Sequence, residues 1–217
     1  MHVGLNPPAW DRRVIRRLLD AELRERWIRR ITSPERFDLR PTGPGAVLDI
    51  GCGAAKHPGA VGLDICADTD ADVVHDLNTF PYPFEDRSFD QVLMQDVIEH
   101  LVQPIKVIGE LHRICRPGAR IQLRTPHFSS LLAYSDPTHL HYFSAEAIRT
   151  LAQPRFAHYT KVRLHVVHVT LDLWFPFRAL GIGRFANRFP MPYEAYLAFR
   201  FPAMNIRAEL EVLEPPA

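Results

Sequence analysis

Val47-Leu48-Asp49-Ile50-Gly51-Cys52-Gly53, followed by Val61-Gly62-Leu63-Asp64-Ile65, decides the fold of this chain. An apolar strand runs into a glycine turn, and a second short strand ends on a carboxylate. Glycines let a backbone approach a ligand closely, and a carboxylate at a strand end can accept both hydroxyls of a ribose. The layout suits a cofactor that contains adenosine. It departs from the nicotinamide pattern, which has three glycines and an acidic residue about 20 positions on. Here Asp64 lies 13 residues after Gly51, and Ala55 stands where another glycine is expected.

Only residues 51–60 separate the two strands. A parallel crossover normally takes about a dozen residues or more and a helix. Pro58-Gly59 opposes a helix there. The first crossover helix is therefore expected to be shortened or missing.

Outward from this core, strands are expected at 72–75, 89–94, 119–125, 159–171 and 206–213. The segment 103–115 is helical, with Ile105, Ile108, Leu111 and Ile114 on one stripe and Pro117-Gly118 to stop it. A second helix over 144–152 starts at Ser144, a side chain suited to capping. Strand and helix alternate, which argues for a parallel sheet covered by helices. Residues 1–40 form a basic amphipathic helical cap whose helix spans 10–31, with Arg12, Arg13, Arg16, Arg17, Arg24, Arg26, Arg29 and Arg30 opposite the apolar face. Asp11, Asp20, Glu22 and Glu25 interleave, as on a solvated surface. The alternative is a basic surface for an anionic partner. Pro41-Thr42-Gly43-Pro44-Gly45 then breaks the chain, and the main domain covers 41–217. Within it, 172–204 is an insertion rich in aromatics and prolines. It reads equally as a lid or partner surface and as extra core.

The chain has 217 residues, 47% of them hydrophobic, and a formal net charge of +1, so bulk charge selects no partner. Trp27 belongs to the apolar stripe with Leu23 and Ile31, and no aromatic interleaving favours nucleic acid specifically. Cys52, Cys66 and Cys115 have no metal or redox spacing and fit a reducing compartment. No signal segment and no apolar run of about 18 residues is visible. The expectation is a cytoplasmic protein with no transmembrane segment.

The landmarks after the glycine turn are specific. Asp76-Leu77-Asn78 precedes Phe80-Pro81-Tyr82-Pro83-Phe84 and Ser88-Phe89-Asp90. Then come Gln95-Asp96-Val97-Ile98-Glu99-His100-Leu101 and Glu110-Leu111-His112-Arg113-Ile114-Cys115-Arg116-Pro117-Gly118. Over residues 46 to 152 this series resembles the class I S-adenosylmethionine-dependent methyltransferases, within the type 11 group that includes quinone-biosynthesis methyltransferases.

The resemblance implies a Rossmann-like, doubly wound α/β fold. Its sheet would have seven mostly parallel strands with an antiparallel last strand. It implies S-adenosylmethionine as cofactor. Asp49, Gly51, Cys52 and Gly53 would surround its methionine part, with Asp49 near the ammonium. Asp64 would accept the ribose hydroxyls, Ile65 would pack on the adenine, and Asp76 and Leu77 would flank its amino group. Gln95 would face the methionine moiety and the substrate mouth. With no helix after the first strand, the cofactor carboxylate loses a helix N-terminus. Lys56, His57 or an N-terminal arginine is the expected replacement.

A histidine cluster follows the fifth strand: His127, then Asp136, His139 and His141. Loops at the carboxyl ends of parallel strands carry ligands in this architecture. His127, which leaves a strand end, and His139 are the candidates for substrate contact or a general base. Packing is the competing reading. The ligand set is not closed, so no metal is expected. Glu99-His100 suggests acid–base chemistry, but in the resembled family this pair is structural. The expected activity is in-line methyl transfer to a small-molecule or lipid-like acceptor. The alternatives are a non-catalytic cofactor-binding scaffold and methylation of a macromolecule. A protein partner or a dimer would use 172–204.

Overall fold

The computed structural model describes residues 39–152 and 162–214. The expected helix over 10–31 and the start of the strand expected over 159–171 lie outside them. Seven strands form one sheet in the order β3-β2-β1-β4-β5-β7-β6. They are β1 (Val47–Ile50), β2 (Val61–Asp64), β3 (Val73–Val74), β4 (Phe89–Gln95), β5 (Cys115–Pro126), β6 (Leu164–Leu173) and β7 (Ala203–Val212). Neighbours from β3 through β5 run parallel, and β7 runs antiparallel to both β5 and β6. This is the doubly wound sheet with a reversed last strand.

The link between β1 and β2 contains turns and no helix. The loop instead closes on itself and on β2. Gly51 N donates to Leu63 O at 2.7 Å, and Ala60 N to His57 O at 3.1 Å. Gly62 makes this packing feasible. A Cβ on it would lie 2.6 Å from Lys56 Cδ and 2.9 Å from Cys52 Sγ. Lys56 Nζ sits 2.8 Å from both oxygens of Asp72, whose Oδ2 also accepts from Gly62 N at 2.7 Å. A lysine–aspartate clasp thus takes the helix's place in covering β2.

Helix α1 (Pro104–Ile114) crosses from β4 to β5. Proline suits its first turn because no amide hydrogen is needed there. Val107, Ile108, Leu111 and Ile114 are buried against Val92, Met94, Ile121 and Leu123 of the sheet. Each such side chain contributes about 1.5–3 kcal/mol of hydrophobic stabilisation. The helix ends at Cys115, already extended, and the chain enters β5 directly, four residues before the expected start at 119.

The opposite face of the sheet is polar at its centre. Gln91 and Gln95 on β4 and Gln122 on β5 share that face, since side chains alternate and Leu93 pairs with Gln122. Residues 39–44 lie across them as a strap. Gln95 Oε1 accepts from Leu39 N at 3.0 Å, and Gln122 Nε2 donates to Arg40 O at 2.6 Å. Gln91 Oε1 accepts from Thr42 N at 2.7 Å, and its Nε2 donates to Gly43 O at 2.5 Å. Buried amides are thereby satisfied by backbone.

Two helices follow β5: α2 (Leu131–Ser135), capped by Ser130, and α3 (Ala145–Leu151), capped by Ser144, whose Oγ accepts from Ala147 N at 3.0 Å. Residues 174–202, between β6 and β7, hold α4 (Phe175–Ala179), α5 (Ile182–Arg188) and α6 (Pro190–Tyr196). The insertion is both core and surface. Tyr193 is fully buried, while Phe185, Phe189, Tyr196 and Phe199 are exposed. Asn187 fastens it to β6, accepting from Leu171 N at 2.7 Å and donating to Leu171 O at 2.9 Å.

Candidate functional site

The carboxyl ends of β1, β2 and β3 bring most of the expected cofactor residues side by side. Asp64 closes β2. Its Oδ2 accepts from Gly53 N and its Oδ1 from Cys66 N, both at 2.9 Å. The two amides fix the carboxylate and leave a lone pair on each oxygen. Gly53 has φ +54, and a Cβ there would meet nothing within 4 Å, so open space lies beside the turn. Gly51 has φ +65 and packs against Val97. Ile65 follows Asp64 and is 66% exposed, an unusual position for so apolar a side chain.

Asp49 is buried one strand over, and its Oδ2 accepts from His57 N at 2.7 Å. Burial pushes its carboxyl above the ordinary range, against the bond from His57 and the nearby His57 and Lys56 charges. A cation beside it would reverse that shift. Asp76 Oδ1 accepts from Asn78 N at 2.8 Å, and Asn78 Oδ1 accepts from Val102 N at 2.8 Å. Leu77 is buried, and its carbonyl accepts from Tyr82 Oη at 3.0 Å. Cys52 is buried against Gly62. Gln95 is committed to the strap through Leu39. Lys56 is committed to Asp72 rather than to the cofactor end of β1.

Sequence reasoning missed the pair at the end of β4. Asp96 has φ 55, a left-handed backbone that a non-glycine residue seldom adopts. Its amide donates to Arg124 O at 2.9 Å, and its carboxylate is gripped by the Arg124 guanidinium, with Nε 3.0 Å from Oδ1. An aspartate just past a strand end, with an arginine inside β5, was the available signal.

The histidine cluster divides. His127 is fully buried. Its Nδ1 accepts from Ser129 N at 3.2 Å and lies 2.8 Å from Ser129 Oγ, and its Nε2 lies 3.2 Å from Glu194 Oε1 on α6. The pattern is satisfied when Nε2 carries the proton. Glu194 Oε1 also accepts from Ala145 N at 2.6 Å. His127 therefore joins β5, α3 and α6, and its ring has no open side for a substrate. His139 lies against His100 with ring centroids 4.6 Å apart. His141 and Asp136 do not meet His127 in any hydrogen bond. Glu99 is buried in the short 3-10 turn Ile98–His100. Burial pushes its carboxyl up to about 8.

A cleft of about 340 Å³, lined by Arg87, His112, Arg113 and Leu213 among others, lies at the amino ends of the parallel strands. The carboxylate in its lining, Asp86, is paired with Arg113 at 2.7 Å. In open α/β sheets the ligand crevice lies outside the carboxyl ends, where the glycine turn and the acidic residues sit.

This sheet order, with a glycine turn after β1 and a carboxylate closing β2, defines a Rossmann-like nucleotide-cofactor protein of the class I methyltransferase type. A family model described as a methyltransferase domain matches residues 19–155, more than half of the chain. The chain belongs to that methyltransferase-domain family, whose members are S-adenosylmethionine-dependent. No curated protein matches it. Solved structures agree on the fold. An S-adenosylmethionine-dependent methyltransferase from Archaeoglobus fulgidus superposes with a TM-score of 0.54 at 17% identity, covering 93% of this chain and 100% of its own. One from Mesorhizobium loti gives 0.54 at 14% identity, with 82% and 96% covered. A methyltransferase–activator complex from Haloferax volcanii gives 0.52 at 18% identity, with 92% and 97% covered. At these identities the likeness is one of fold alone.

Proposed function

We propose that this protein binds S-adenosylmethionine at the carboxyl ends of β1 to β3 and methylates an apolar, aromatic or lipid-like acceptor. When bound, the cofactor supplies a methyl group already activated as a sulfonium. The residues then have positioning work. The free lone pairs of Asp64 accept the ribose hydroxyls, while Gly53 N and Cys66 N hold its carboxylate in plane. Asp49 presents its second oxygen to the ammonium. Asp76 offers its remaining oxygen to the adenine amino group beside the Leu77 backbone, and Ile65 covers the ring. Gly51 and Gly53 leave room for close approach.

The acceptor class rests on one observation, an exposed aromatic rim beside the strand ends. Tyr134 and Tyr142 stack with centroids 4.8 Å apart and are 56% and 51% exposed. Phe199, 76% exposed, meets Phe128 just past β5 at 5.5 Å. Tyr196 is 84% exposed. Rings in this number are rarely left to water without a role. They suit an acceptor that is itself apolar and help exclude water from the displacement.

The test uses labelled S-adenosylmethionine with metabolite, lipid, protein and RNA pools. Label in the organic-extractable fraction is expected. Label confined to protein or RNA overturns the acceptor class, and absence of calorimetric heat with S-adenosylmethionine overturns the cofactor assignment. A protein partner on 174–202 is the second reading, favoured by the exposure of Leu180 (73%) and Met191 (65%). Light scattering and pull-down with the purified chain test it.

A further inference from the structure

Three side chains with metal-binding chemistry converge at the end of β4 without a partner in common. One donor atom each from Glu99, His100 and His139 lies within 4.8 Å of the others. Glu99 is 1% exposed. Its Oε2 accepts from Thr125 Oγ1 at 3.0 Å, but its Oε1 is buried with no hydrogen-bond partner. An orphaned carboxylate oxygen is costly in a protein interior and calls for an explanation.

The histidines are oriented from behind. His139 Nδ1 lies 2.8 Å from Ala133 O. A carbonyl can only accept, so Nδ1 carries the proton and Nε2 keeps its lone pair. His100 Nδ1 lies 2.9 Å from Thr138 Oγ1, whose own hydrogen goes to Asp136 Oδ1 at 2.7 Å. The hydroxyl therefore accepts from His100, and Nε2 is again the unprotonated nitrogen. Histidines that bind metal typically donate their other ring N–H to a carbonyl or to a group backed by a carboxylate, which fixes tautomer and ring plane. Both rings here have that support.

We infer that Glu99, His100 and His139 form a site for a divalent first-row transition cation. Two imidazole nitrogens and one carboxylate oxygen suit Zn²⁺, Mn²⁺, Fe²⁺ or Co²⁺ better than Mg²⁺ or Ca²⁺, which take oxygen ligands. Three protein ligands leave further positions open to water or another ligand. His141, although near in sequence, is not one of the three.

The experiment titrates chelator-treated full-length protein with Zn²⁺, Mn²⁺, Co²⁺ and Mg²⁺ by calorimetry, and follows Co²⁺ by its visible absorption. One equivalent of transition cation is expected to bind, with Mg²⁺ at least tenfold weaker. Glu99→Gln, His100→Ala and His139→Ala should each weaken binding tenfold or more, while His168→Ala, at an exposed position of β6, leaves it unchanged. Circular dichroism establishes that each variant is folded, and His139→Ala, on a half-buried residue, serves if Glu99→Gln is not. Absence of binding to the parent protein overturns the site. So does binding that survives all three substitutions, which assigns it to surface histidines. The measurement uses neither methyl donor nor acceptor, so its failure is separate from failure of the methyltransferase reading.

Discussion

Asp64 Oδ2 receives the amide of Gly53 at 2.9 Å, so the last residue of β2 is bonded to the turn that leaves β1. The carboxylate reaches the cofactor side already oriented, with lone pairs to spare. Hydrogen bonds to a charged group contribute about 1.5–3 kcal/mol. Asp64→Ala should therefore weaken S-adenosylmethionine binding by about tenfold to a hundredfold, read as a calorimetric dissociation constant. An unchanged constant would remove Asp64 from the site.

Gly62 has no unusual dihedral, yet it is the contact on which the helix-free loop rests. Gly62→Ala places a methyl group against Lys56, Cys52 and Asp70 O, the last at 3.2 Å. Overpacking of this kind costs about 1–3 kcal/mol. The urea midpoint should fall. Unaltered stability would mean that the clasp between Lys56 and Asp72 is loose.

Acid should unfold the protein partly through Glu110. Burial pushes its carboxyl up, but hydrogen bonds from Arg113 and from Tyr82 N outweigh that and hold it below its ordinary 4.5. A depressed folded value means the contribution is complete above pH 4.5 and disappears as pH falls through the folded value. Glu110→Gln should destabilise the protein at pH 7 and flatten the acid limb of its stability profile. A profile that stays parallel to that of the parent between pH 3 and 6, roughly the span in which carboxylates titrate, would exclude Glu110.

Glu194 serves two donors at once, His127 Nε2 at 3.2 Å and Ala145 N at 2.6 Å. Glu194→Ala leaves both without an acceptor, at about 1–3 kcal/mol each. The expected outcome is a lower thermal midpoint with an unchanged dissociation constant for S-adenosylmethionine. His127→Ala should behave alike. A loss of kcat in a variant of undiminished stability would return His127 to the reaction.

Tyr142→Ala and Phe199→Ala remove rim rings that carry little of the core. Both should raise the KM for an apolar acceptor several-fold and leave kcat nearly constant, since they contribute uniform binding. A specific fall in kcat would place these rings at the reacting centre.

Local signals in the chain were readable and long-range ones were not. The α1 stripe, the Ser144 cap and the missing helix between Ile50 and Val61 all depend on neighbours within a few residues. Gln91 and Gln122 are polar side chains within β4 and β5, and nothing next to them in the chain says what they bond. Their partners are backbone groups of Gly43 and Arg40, 48 and 82 residues away. His127 invited a substrate role because it leaves a strand end, and only the fold sets Glu194, 67 residues later, against its ring. The 174–202 helices are short, with Pro190 opening one and a left-handed Gly181 before another, so no apolar period marks them. Likewise, His100 and His139 lie in separate loops, and spacing alone could not join them.

The position of β7 between β5 and β6 also governs how a ribosome can build this sheet. Among the described residues β6 pairs with β7 alone, so when β6 is made it has no ladder to enter. The parallel half, β1 to β5, can assemble while the rest is still being translated. The β6–β7 hairpin must then close across residues 174–202 and dock as a unit, or β7 must dock first and recruit β6. Either way, a chain arrested before residue 203 presents β5 as an unpaired apolar edge. Such nascent chains are where chaperone engagement and aggregation should concentrate.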